Sequence, residues 1–473
     1  MTASVFESPK CYTNKASKRH IPITLIAKKK YDNWLEQQNE SLKARISAQG
    51  FGPKSISALV EGAANGQPDC VYICVDTDLN IEDGARVAAA IRSGFADDFL
   101  EKTSFEIQAN GFKGDALTRL FIGWGLAQYR FDTYKPAKTS TIRLVWHKDA
   151  DKKRVQVYVS AVCLLRNLIN LPANYLGPQE IADTAAHLAE THKAVLKTIK
   201  GAKLEKNFPL VHTVGKASPR PPVLIDLTWG KAKDPKLTLV GKGVVFDTGG
   251  LDIKPSQYMR LMKKDMGGAA HALALAQIVM ALKLPVRLRV IIPAVENAVG
   301  GAAFRPGDII KSRKGLTVEN TNTDAEGRLI LADALTLASE DSPDLIIDFA
   351  TLTGSARAAL GHDIPAMFSN NDKLAGDLQK TAMDQNDPLW AMPLWEAYHP
   401  LIESPIADLV NSAGVPGDLI YSALFLQKFL VDAPDWVHLD LYAWENNGRP
   451  GRSKGGTEMG LLALLALIEK RYG

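Results

Sequence analysis

Leu237-Thr238-Leu239-Val240-Gly241-Lys242-Gly243-Val244-Val245-Phe246-Asp247-Thr248-Gly249-Gly250 is the stretch on which the fold turns. From residue 237 to 245 it is mostly apolar without alternation, which is how a strand covered on both faces reads. Lys242 lies within that strand and Asp247 near its end, with glycines around both that let backbone bend or approach closely. Working outward, three more such runs occur at 286–293, 345–350 and 436–441, and helical periodicity fills 269–282 and 329–339. An earlier helical pattern at 157–170 is broken by Leu171-Pro172-Ala173-Asn174. The alternation predicts an α/β/α domain around a central, largely parallel sheet.

Residues 1–150 read as a smaller α/β unit, with strands at 23–27, 71–75 and 142–147 and helices at 81–99 and 117–127. The charged cluster at 149–154 reads as a solvated turn, which places a boundary between domains 1–154 and 155–473. A chain of 473 residues exceeds what one core usually organises, in keeping with two domains. With 46% hydrophobic and 23% charged residues, a disordered or fibrous chain is excluded. Residues 1–160 carry 23 Lys and Arg against 18 Asp and Glu, a mild excess that permits a nucleic-acid contact without predicting one. The four cysteines are irregularly spaced, so a reducing compartment is expected and a disulfide framework is not. The first apolar stretch, 21–27, is followed by Lys28-Lys29-Lys30, the wrong order for a secretory signal, and no run reads as a membrane span. A cytoplasmic protein is the expectation.

Polar residues concentrate in three places where such a protein should be apolar. Lys242 and Asp247 make the first, with Lys254-Pro255 soon after. Met262-Lys263-Lys264-Asp265-Met266-Gly267-Gly268 is the second, and Asn322-Thr323-Asp324-Ala325-Glu326-Gly327-Arg328 the third. In an extended segment Asp324 and Glu326 would point to one side. Taken singly, each has an ordinary reading: a helix cap, a surface lysine, a turn glycine. Together, Asp247, Asp265, Asp324 and Glu326 are four carboxylates at ends of regular elements. If they converge, divalent cations relieve their repulsion, and oxygen-rich ligation suits zinc, manganese or magnesium. Lys242 could join as a neutral amine only with a depressed pKa. Lys254 and Arg328 then remain as positive groups for a reaction.

At these residues the chain resembles the leucyl (cytosol) aminopeptidase family of dinuclear metallopeptidases. Asn-Thr-Asp-Ala-Glu-Gly-Arg-Leu stands unbroken at 322–329, beside the Val-Gly-Lys-Gly, Phe-Asp-Thr-Gly-Gly and Asp-Met-Gly-Gly-Ala-Ala blocks. The resemblance covers about residues 155–473 and implies that Lys242, Asp247, Asp265, Asp324 and Glu326 hold two metals, with Asp247 and Glu326 bridging. It implies catalytic roles for Lys254 and Arg328, the latter holding a bicarbonate as general base. It implies zinc or manganese, with magnesium or cobalt as further candidates, and a hydroxide held between the metals as nucleophile. It also implies a side pocket at Met262, Thr351 and Gly354, fitted to an apolar, leucine-like first residue of peptides with a free N-terminus. A homohexamer is expected on the same ground. The first 150 residues contribute no motif to this resemblance, so a DNA-binding or regulatory protein on this scaffold is the alternative. Asp252 adds a carboxylate at a position often uncharged.

Other features are decoys. His187 and His192 are five apart and do not share a helix face, and Gly241-x-Gly243 lacks the third glycine of a dinucleotide loop. His271 and His438 read as packed, structural histidines.

Overall fold

The computed structural model describes residues 5–54, 58–62, 68–136 and 139–473. Two compact units divide it: Leu164–Glu445 with Gly455–Gly473 and a short N-terminal piece, and Phe6–Cys163 with Asn446–Lys454. The division falls inside helix Lys152–Asn170, which takes up Lys152, Lys153 and Arg154 that the sequence suggested were a turn. The smaller unit holds a six-stranded sheet in the order Tyr12–Thr13, Arg143–Val145, Thr103–Gln108, Arg19–Ala27, Pro68–Val75, Leu59–Gly62, antiparallel only at the last pair. Its helix expected over 81–99 ends at Gly94, and Asp97–Lys102 starts a new one.

The larger unit is built on a nine-stranded sheet. Four neighbours run parallel through its middle: Trp436–Asp440, Leu345–Ala350, Lys236–Gly241 and Arg287–Asn297. Their registers pair Ile346 with Thr238 and with Trp436, and Val290 with Leu239. Antiparallel neighbours extend the sheet on both sides, so it is mixed at its margins. Helix Gly267–Leu282 covers one face. On the other, Leu329, Ile330 and Leu335 of helix Glu326–Ser339 join Val240, Ile291, Ile346 and Trp436 in one core cluster. Met262–Leu282 is apolar and long enough to cross a membrane, but 83% of its window is buried in the protein, so it serves as a core helix.

Two details revise the sequence expectations. The run 237–245 is not one strand. Lys236–Gly241 stops, and Gly243–Asp247 pairs instead in parallel with the end of Arg287–Asn297, with a register shift between Val244 and Asp247. The interruption is Lys242, whose N–H donates to Phe349 O at 2.9 Å and whose carbonyl accepts from Ala269 N at 2.9 Å. Glu326, expected in extended chain beside Asp324, is the first residue of a helix, while Asp324 sits in a turn whose N–H donates to Asn322 Oδ1 at 2.9 Å. The pair does not rely on period-two alternation to face one place.

Candidate active site

Each polar residue singled out above lies where a strand or helix of this layered unit ends. Lys242 follows one central strand, Asp247 closes the next segment, and Thr351 follows Ala350. The carboxyl edge of parallel strands, beyond which side chains from several loops can meet, is where open α/β sheets place their sites.

Lys242 Nζ is buried and lies 2.7 Å from Asp265 Oδ2 and 3.0 Å from Glu326 Oε1, and it donates to Thr351 O at 2.9 Å. Asp265 Oδ1 accepts from Thr351 Oγ1 at 2.8 Å. Asp247 Oδ1 accepts from Gly249 N and Asn297 Nδ2, both at 2.8 Å, leaving Oδ2 to face Lys254 Nζ at 2.9 Å. Lys254 also pairs with Asp324 Oδ1. Carboxylate oxygens of Asp247, Asp265 and Glu326 all lie within 4.8 Å of one another, and Lys254 ties Asp324 to the group. All five expected metal positions and Lys254 therefore meet in one place.

Electrostatics follow from burial. Burial first, and Asp247 next to it, push Asp324 up to about 6 against the pull of Lys254. The same two causes raise Glu326 well above the ordinary glutamate range, with Lys242 opposing. Burial on its own would lower both lysines, yet the surrounding carboxylates outweigh it and both stay ammonium above the usual lysine range. A neutral Lys242 amine therefore needs added positive charge nearby. Four carboxylates against two ammonium groups leave the cluster acidic, and Glu326 Oε2 is buried without a hydrogen-bond partner among the described residues. An oxygen-rich set with an unsatisfied buried carboxylate oxygen fits divalent cations, which supply the missing positive charge and the missing bond.

Arg328, also buried, donates to Asn411 O at 2.6 Å and to Asp418 Oδ1 at 2.9 Å, while its Nε has no partner among the described residues. Met262, Thr351 and Gly354 line the same cavity of about 580 Å³ as the acidic cluster, with Leu261, Leu352 and Tyr258. Lys264, Arg357 and Tyr442 line it too. Burial lowers Lys264 to about 7, with Asp265 opposing.

Several contributors were not singled out from sequence. Asn297 ends a strand and donates to Asp247 and to Thr323 O. Asp440 accepts from the amides of Leu352 and Thr353 and from Thr353 Oγ1, holding the loop that carries Thr351. A polar residue closing an otherwise apolar strand was the available signal for both. Asp252 is structural here, its Oδ2 accepting from Thr323 N at 2.7 Å. His271 is packed in the core, and His438 is buried against Asp348, Nδ1 to Oδ1 at 2.6 Å.

A sheet covered on both faces, with clustered acids and lysines at its carboxyl edge, defines a protein of the α/β class with a site suited to divalent cations. Comparison with known proteins narrows this. Residues 163–465 match the model of the cytosol aminopeptidase family catalytic domain, and residues 21–146 that of the M17 aminopeptidase N-terminal domain. A probable cytosol aminopeptidase of Syntrophotalea carbinolica is 42% identical over 374 residues, covering 75% of each chain. One from Sinorhizobium fredii is 39% identical over 453 residues, 89% of each. The crystal structure of cytosol aminopeptidase from Coxiella burnetii superposes with TM-score 0.91 at 41% identity, covering 98% of this chain and 100% of that one. The bottromycin maturation enzyme BotP in complex with Mn gives TM-score 0.84 at 29% identity, covering 96% and 99%. The chain belongs to the cytosol aminopeptidase family and is a metal-dependent aminopeptidase.

Proposed function

We propose that the chain releases N-terminal residues with apolar, leucine-like side chains from peptides, using residues 242–328 as the reacting centre. The observation that carries this is the convergence of Asp247, Asp265 and Glu326 oxygens within 4.8 Å, with Lys242, Lys254 and Asp324 in direct contact. Lys242, Asp247, Asp265, Asp324 and Glu326 would hold two divalent ions, zinc or manganese first, with magnesium or cobalt as further candidates. When bound, such a pair lowers the pKa of a water held between the ions and polarises the scissile carbonyl.

The chain's own residues do the remaining work. An ion held by these residues would take a free α-amine as a ligand and not an acylated nitrogen, whose lone pair is delocalised, which would restrict action to an N-terminus. Lys254, freed from Asp247 and Asp324 by the incoming positive charge, donates to the carbonyl oxygen as negative charge develops there. Arg328, anchored by Asn411 and Asp418, keeps its unpartnered Nε for a small anion. Bicarbonate is the anion expected, and it supplies a proton acceptor near neutral pH. Met262 and Leu261 offer the apolar wall for the first side chain, with Thr351 and Gly354 beside them. Residues 155–473 carry this chemistry, and we assign none to 1–154. A cytoplasmic homohexamer is part of the same reading, checked by sedimentation equilibrium.

The test is release of leucine from a free and from an N-acetylated peptide, with and without chelator. Activity confined to the free peptide and abolished by chelation is expected. Equal cleavage of both peptides, or indifference to chelation, refutes the mechanism. Lys254→Ala should keep metal and lose turnover, whereas Asp247→Ala should lose both.

A further inference from the structure

Two basic side chains of the substrate cavity share one aromatic ring. Lys264, which is 3% exposed, places Nζ 4.9 Å from the centre of the Tyr442 ring. Arg357 places its guanidinium 5.1 Å from the same centre. Arg357 Nη1 donates only a long bond, 3.4 Å, to Thr353 O, and Nη2 lies 3.6 Å from where a Cβ on Gly354 would stand. Among the described residues neither side chain forms an ion pair with a carboxylate. The neighbouring acids are engaged elsewhere: Asp265 by Lys242 and Thr351, Asp440 by Leu352 and Thr353.

The ring does not stand in for a counter-ion: attraction of the guanidinium to an aromatic face is weaker than an ion pair, and Lys264 competes for the same ring. A guanidinium that lines a ligand cavity without a paired acid, with an amine donor over the same ring, is complementary to an anion that the ligand brings. The wall leading to them is apolar, made by Leu261, Met262 and Leu352.

We propose that the side pocket also accepts an N-terminal acidic residue, glutamate above all, whose methylenes lie along Met262 and whose carboxylate pairs with Arg357 and accepts a hydrogen bond from Lys264. This rests on the aminopeptidase reading and deepens it. The pocket is apolar along its wall and cationic at its end, so it takes leucyl and glutamyl residues but discriminates glutamate from its neutral isostere glutamine.

The experiment compares kcat/KM for Glu-, Gln- and Leu-initiated peptides of otherwise identical sequence on the full-length, metal-loaded enzyme. In the wild type the Glu/Gln ratio is expected to be tenfold or more and to fall with added salt. Arg357→Met is expected to bring the ratio near one, and Arg357→Glu to turn preference toward a Lys-initiated peptide. Because each ratio is taken within one protein, partial misfolding cancels, and Lys264→Met gives a second, independent loss of the ratio. A wild-type ratio at or below one with leucine still released overturns this proposal alone, as does a ratio unchanged in both Arg357→Met and Lys264→Met. A wild type that releases none of the three residues overturns the aminopeptidase reading as well.

Discussion

Gly268→Ala should disable the enzyme from a position that touches no substrate. Gly268 opens helix Gly267–Leu282 where that helix meets the sheet, and a Cβ there would stand 2.0 Å from Phe349 O and 2.8 Å from Lys242 N. Ordinary carbon–oxygen contact is above 3 Å, so the helix start must back away by roughly 1 Å, at an overpacking cost of about 1–3 kcal/mol. Asp265 sits just upstream of that helix and Lys242 at the strand break it would back away from, so the 2.7 Å Asp265–Lys242 contact opens by a comparable amount. Misplacement of about 1 Å at a reacting centre costs on the order of 100-fold in rate. The assay is kcat on a leucyl peptide at saturating metal, with thermal unfolding alongside. Gly376→Ala is the control: Gly376 lies in helix Asp372–Asp384 with nothing within 4 Å of its added Cβ, and it should gain up to about 1 kcal/mol from helix propensity. If Gly268→Ala is as active and as stable as Gly376→Ala, the close-approach account is wrong.

Acid should weaken the core through His271, whose Nδ1 lies 2.7 Å from Gly267 O and whose Nε2 accepts from Met459 N at 3.0 Å. Burial lowers its pKa from 6.5 to about 4. A depressed folded pKa means stability fully present above pH 6.5 and lost as pH falls through 4, about 3 kcal/mol in all. Urea unfolding at a series of pH values should show this slope, and His271→Gln should flatten it. Arg166, buried and paired with Glu458 at 2.9 and 3.0 Å, predicts that Arg166→Met costs about 3–5 kcal/mol by stranding a charge. Adding Glu458→Gln should recover much of that loss, and additive losses in the double-mutant cycle would contradict it. Metal affinity should also fall on acidification, because Asp324 takes up a proton near pH 6 and Glu326 is raised too. Calorimetric titration with Mn²⁺ should show the dissociation constant rising about tenfold or more per pH unit below 6, and a flat profile would count against these ligands.

The sheet was legible because its central strands are covered on both faces and therefore read as unbroken apolar runs. Asp247, Asp265, Asp324 and Glu326 stood out for the complementary reason: charge at the end of such runs costs too much unless something is bound there. What sequence hid was backbone geometry. The break at Lys242 depends on hydrogen bonds to Phe349 and Ala269, partners far along the chain, so 237–245 looked like one strand. Glu326 was misplaced because its side chain reaches the cluster from a helix start, and local periodicity cannot distinguish that from an extended approach. Lys264 and Arg357 were missed since a lysine beside another lysine and an arginine on a short helix both read as solvated; only the fold turns them inward to Tyr442.

The strand Trp436–Asp440 enters the sheet late in the chain yet fixes the Thr351–Thr353 loop through Asp440. The loop that carries Thr351 is thus held by a carboxylate about ninety residues further along the chain, and a polypeptide without residues 436–440 has no such hold on it.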